Sequence, residues 1–119
     1  MSPCRRDARD AAAQARRFIE RSFVLTDALL SGYEREDLYG ESDRLSRPTW
    51  EWLIEADELV SGLHSTALWE PSRQSARRRA DFVSGVDALI ERRPPDLDDP
   101  FLLATLAELR AVVVGFSAI

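Results

Sequence analysis

Apolar positions recur every three or four residues through four stretches of the chain, and polar or proline-rich punctuation separates them. That period is helical. The first stretch follows Ala8, Ala12, Ala15, Ile19, Phe23, Leu30 and Tyr33, flanked by Phe18 and Leu29. With Ser2 as N-cap and Pro3 at the first helical position, it predicts a helix over 3–33. The second opens at Pro48 and follows Trp52, Leu53, Ala56, Leu59, Val60, Leu63 and Ala67, predicting 48–69. Glu51, Glu55 and Glu58 fall on its opposite side as a solvated face. Ser72 caps a third helix over 72–92 with Ala76, Ala80, Val83, Val86, Leu89 and Ile90 inward. The linker "RPPDLDDP" stops it, and Asp99 followed by Pro100 opens a fourth helix over 100–116.

No segment alternates with period two, so no sheet is expected. A chain of 119 residues, 45% of them hydrophobic, is long enough for one core and too short for two. The expected fold is all-α: a single domain over 1–119, an antiparallel four-helix bundle. The one long connection is the polar stretch from Glu34 to Arg47.

The fourth helix changes the picture, because it has almost no polar face. A helix that is apolar all round must be covered all round. Three neighbours cover most of it, and a subunit contact through Leu106, Val113 and Phe116 covers the rest. A second contact is expected at Trp50, which lies about 200° from the core residue Trp52 and shares a shoulder with Ile54 and Leu68. Glu108 and Arg110 make the last segment a poor membrane span.

Charge adds a second expectation. The sum is −5, yet all sixteen cations are arginines, forks suited to carboxylate or phosphate. Antiparallel neighbours gather Arg5, Arg6, Arg9, Arg16 and Arg17 with Arg73, Arg77, Arg78 and Arg79 at one end. Glu34, Glu36, Asp37, Glu41, Asp43, Glu51, Glu55, Glu91, Asp96, Asp98 and Asp99 collect at the other. Asp81 is spaced to pair with Arg77 or Arg78, and Asp7, Asp10 and Glu20 dilute the basic end. The expected anion- or partner-binding residues are Arg16, Arg17, Arg73, Arg77, Arg78 and Arg79.

Candidate chemistry is thin. One cysteine, Cys4, excludes an intrachain disulfide and a cysteine-based zinc cluster. Asp57, Ser61 and His64 share a helical ridge at i, i+4 and i+7, but a triad needs the histidine in the middle. No second histidine exists for a metal site, and the five glycines are scattered rather than grouped in a phosphate loop. No catalytic, cofactor-binding or metal-binding residue is therefore expected, nor a small-molecule substrate. The absence of an apolar run behind Arg5 and Arg6 points to a cytoplasmic protein with no membrane partner. The sequence thus reads as a non-catalytic interaction domain, a homodimer or a small subunit of a larger complex. The alternative is a subunit that holds a nucleic-acid backbone at its arginine-rich end.

Overall fold

The computed structural model describes residues 5–35, 46–95, 97 and 100–119, without the side chains of 5–8, 33–35 and 66. It is all-α. The helices are α1 (Arg5–Arg35), α2 (Arg47–Ser61), α3 (Arg73–Glu91) and α4 (Pro100–Ser117). Two single 3-10 turns, Gly62–His64 and Thr66–Trp69, link α2 to α3. Among the described residues there is no strand. The expected caps at Ser2 and Asp99, the charges of the 36–45 connection, and Asp96 and Asp98 lie outside the described residues.

Local chemistry sets the starts that are described. Ser46 precedes α2 in extended conformation and its hydroxyl accepts from the Thr49 amide, with Pro48 in the first turn. Ser72 does the same for α3 through the Ser75 amide at 3.1 Å. Such caps satisfy amides that the helix itself leaves orphaned.

α1 packs on α4 and α2, and α3 packs on α4 and α2, so each helix has two flanking neighbours around one core. Residue numbers fall along one partner as they rise along the other. On α3 and α4, Arg79 bonds Ser117 and Asp87 bonds Arg110. On α1 and α4, Phe18 lies against Gly115 and Arg21 bonds Glu108. On α2 and α3, the Trp52 indole donates to the Leu89 carbonyl and Leu59 lies against Gly85. The centre is a single apolar cluster that includes Leu29, Leu53, Val60, Leu63, Val86, Leu102, Leu106, Leu109 and Val113.

Three expectations need correction. The second helix does not reach residue 69: it ends at Ser61, and Ser65 is extended (φ −75°, ψ 123°). That break rotates Leu68 and Trp69 into the core, while Ala67 stays half-buried. In α3 the inward line is Ser75, Arg79, Phe82, Val86 and Leu89, and both Ala76 and Ala80 are exposed. Burying Phe82 removes far more apolar area from water than burying an alanine, so the larger ring sets the helix phase. In α1, Ser22, Leu25, Thr26 and Leu29 are buried, while Ala12 is exposed and Ala15 half-buried. Phe18 already sits level with Gly115 near the end of α4, so the first turns of α1 run past the body.

Candidate functional site

Two surfaces were expected to carry function: an arginine-rich end and an apolar contact through α4. The register of contacts locates the first. Phe18 of α1 comes so close to Gly115 that a β-carbon there would lie 2.8 Å from its ring. Arg79 of α3 reaches Ser117, two residues further along α4. Arg16 and Arg17 therefore flank the same end of α4 as Arg77 and Arg78.

Arg79 differs from its neighbours. Only 6% of it is exposed, and it donates to the carbonyls of Leu68 (2.7 Å) and Glu70 (3.2 Å) and to Ser117 Oγ (2.9 Å). Its guanidinium also lies 5.0 Å from the centre of the Phe116 ring, and Phe116 meets Trp69 edge-on at 4.9 Å. Burial lowers the Arg79 pKa from the usual arginine range, yet a guanidinium stays charged in proteins. Arg79 is thus a structural pin that ties the second 3-10 turn and the end of α4 to α3. It is not available to an outside anion, and the expectation for it is corrected. Its position also shows how cations are accommodated near the start of a helix: here they sit beside the C-terminal end of α4, where the dipole is negative.

Arg16, Arg17, Arg73, Arg77 and Arg78 are all exposed. Elsewhere four arginines hold carboxylates, Arg21 with Glu108 (2.5 Å), Arg47 with Glu51 (3.1 Å), Arg92 with Glu55 (2.8 Å) and Arg110 with Asp87 (2.6 Å), while Arg93 is exposed without an ion pair among the described residues. Among the described residues the five arginines at the end form no ion pair, and Asp81 pairs with neither Arg77 nor Arg78.

The apolar contact surface is not where sequence reasoning placed it. Leu106 and Val113 are fully buried and Leu68 is 7% exposed, so all three belong to the chain's own core. Phe116 is half-buried between Trp69 and Arg79. Trp50 and Ile54 are half-buried, which leaves them part of the exposure an anchor requires. The exposed side of α4 instead carries Ala104, Ala107, Ala111 and Val114, continued by Ala118 just past its end, with Phe101 and Glu108 also exposed. The alanines and Val114, spaced by three and four residues, make one row. The two charged residues of α4 point sideways: Glu108 to Arg21 of α1, and Arg110 in a two-pronged pair with Asp87 of α3. That pair holds the Arg110 pKa above the usual arginine range, first through the hydrogen bonds and then through the charge of Asp87.

Beside this row, an open groove of about 400 Å³ runs between α3 and α4, lined by Ala76, Ala80, Val83, Ser84, Val114 and Ser117 around Arg79. The exposure of Ala76 and Ala80 thus widens the uncharged surface from one helix to two. A periodicity count treats alanine as core-seeking and so hid this face. Val24 of α1, 57% exposed, adds an apolar group on the neighbouring helix. By length and composition α4 is also apolar enough to cross a membrane, a test that a core helix passes equally.

Catalytic geometry does not emerge at the one histidine. His64 sits on the first 3-10 turn, off the ridge it was expected to share with Asp57 and Ser61. Its ring stacks on Phe23 at 6.3 Å, and its Nε2 lies 3.9 Å from Asp27 Oδ1. Among the described residues no three His, Cys, Asp or Glu side chains converge as metal ligands. The buried Thr26 hydroxyl and Trp69 indole N–H have no hydrogen-bond partner among the described residues. No protein-family model, curated protein or solved structure matches this chain, so its surfaces are read from its own residues.

Proposed function

We propose that this chain is a non-catalytic helical association domain whose contact surface is the outer face of α4 together with the adjoining α3–α4 groove. One observation carries the reading. Ala104, Ala107, Ala111, Val114 and Ala118 form an exposed row without charge, while Glu108 and Arg110 are neutralised within the chain. Small side chains let a partner backbone approach closely, and burying their apolar area contributes about 25 cal/mol per Å². A two-fold contact must be complementary to itself. An uncharged row meets that condition without placing like charges opposite each other, so a second copy is the partner this face fits best.

The test is a charge placed on the row. Ala107→Glu with Ala111→Glu sits on exposed helix positions, where both residue types favour helix. Helicity and unfolding midpoint should stay close to those of the parent, while size-exclusion chromatography with light scattering should show the variant dissociated. An associated variant of unchanged mass would remove α4 as the contact face.

A further inference from the structure

The arginine-rich end borders the last turn of the α4 row, near Val114 and Ala118, and it gathers five exposed arginines in one place. Four arginines on the body each hold a carboxylate at 3.1 Å or closer. At the end, Arg16 and Arg17 on α1 and Arg73, Arg77 and Arg78 on α3 are exposed with no ion pair among the described residues. Acidic residues are near in sequence: Asp10 and Glu20 on α1, Glu70 before α3 and Asp81 within it. All four are exposed, and none of them pairs with those arginines among the described residues. The cations are therefore not consumed locally.

Their placement is fixed from behind. Arg79, one residue from Arg78, is locked to Leu68, Glu70 and Ser117, and so holds the start of α3 against the end of α4. Phe18, next to Arg17, is held against Gly115 on the same stretch of α4. Two helices thus carry exposed arginines at the level of one helix end, with Arg78 turned to the α2 side of α3, where it lines a cleft with Glu58 and Asp81. Beyond this end α1 continues with Arg9, Asp10, Ala12, Ala13 and Gln14 exposed, a ledge that projects past the body.

We infer that this end of the bundle binds the phosphate backbone of a nucleic acid through Arg16 and Arg17 on α1 and Arg77 and Arg78 on α3. A planar guanidinium matches phosphate oxygens two at a time. A backbone supplies repeated phosphates that cations on two helices can hold together. The described end offers no row of exposed aromatic rings for base stacking: Trp69 is 8% exposed and Phe116 is half-buried beneath Arg79. Recognition is therefore by backbone charge, without sequence preference.

The test uses the full chain and a fluorescein-labelled oligothymidylate, read by anisotropy across a salt series. Single-strand affinity falls with salt by a slope of about −0.7 per phosphate neutralised, so contact by four arginines gives a slope of roughly −3. Arg77→Glu/Arg78→Glu and, separately, Arg16→Glu/Arg17→Glu should each weaken binding at low salt by at least about tenfold and flatten the slope by roughly half. Circular dichroism checks that both variants keep the parent helicity. A poly-glutamate peptide of equal charge is the comparison arm. Equal or tighter binding of that peptide would overturn the inference in favour of an acidic protein surface. Absence of salt-sensitive oligonucleotide binding, or binding indifferent to both pairs of substitutions, would overturn it outright.

Discussion

Replacing Trp52 by alanine is expected to cost about 3–5 kcal/mol, the range for removing a buried large aromatic. Trp52 is 4% exposed, and its indole N–H donates at 2.8 Å to the carbonyl of Leu89. That carbonyl lies in the last turn of α3, where the helix has run out of its own amide donors. One side chain therefore fills core volume and satisfies the end of a neighbouring helix. Trp52→Phe separates the two roles: it keeps most of the apolar bulk, loses the hydrogen bond, and should cost about 1–2 kcal/mol. Urea unfolding followed by circular dichroism reads both. If alanine proved as mild as phenylalanine, the packing of Trp52 between α2 and α3 would be misjudged.

Arg79→Ala is the second large effect, at about 2–4 kcal/mol. Its removal strips the charged donor from the Leu68 and Glu70 carbonyls and from Ser117, and takes the cation off the Phe116 face. A buried acceptor left without a donor costs about 1–3 kcal/mol, and a cation over an aromatic face adds roughly 0.5–1 kcal/mol. For a chain of this size that lowers the unfolding midpoint by roughly 10 °C. Arg79→Lys should recover only part, because an ammonium on a flexible stem lacks the planar fork that reaches three acceptors from one place. Arg78→Ala, one residue away and exposed, should change stability by less than about 0.5 kcal/mol. Equal effects at 78 and 79 would contradict the division between an exposed arginine and a structural one.

That division marks the limit of what the sequence discloses. Four helices, the cap at Ser72, the opening of the second helix at Pro48, and the gathering of arginines at one end follow from period, punctuation and short connections, whereas the Ser46 cap emerges only in the structure. The failures share one cause. Periodicity ranks residues by polarity, whereas packing ranks them by the area and hydrogen bonds each can bring. Arg79 reads as one of three like arginines, yet it alone has carbonyls within reach. Ala76 and Ala80 read as core because alanine is apolar, but Phe82 and Val86 have more to bury and take the inside. The second helix reads as continuous to residue 69 because Leu63, Ala67 and Leu68 keep helical spacing. The break after Ser61, with extended backbone at Ser65, turns Leu68 and Trp69 inward by a route that no single period describes. Leu106 and Val113 show the same limit. An all-apolar helix reveals that it needs cover but not which side its own chain supplies, and here Leu102, Leu106 and Leu109 face inward while the alanines, with Phe101 and Val114, face out.

The central claim is that the uncharged row on α4 joins two copies of this chain. Sedimentation equilibrium of the unaltered protein, from low micromolar to several hundred micromolar, tests it most directly. The account predicts a mass approaching twice the 13.5 kDa chain as concentration rises, with little change on raising the salt, since the contact carries no charge. A mass that remains at 13.5 kDa across the whole range would contradict it.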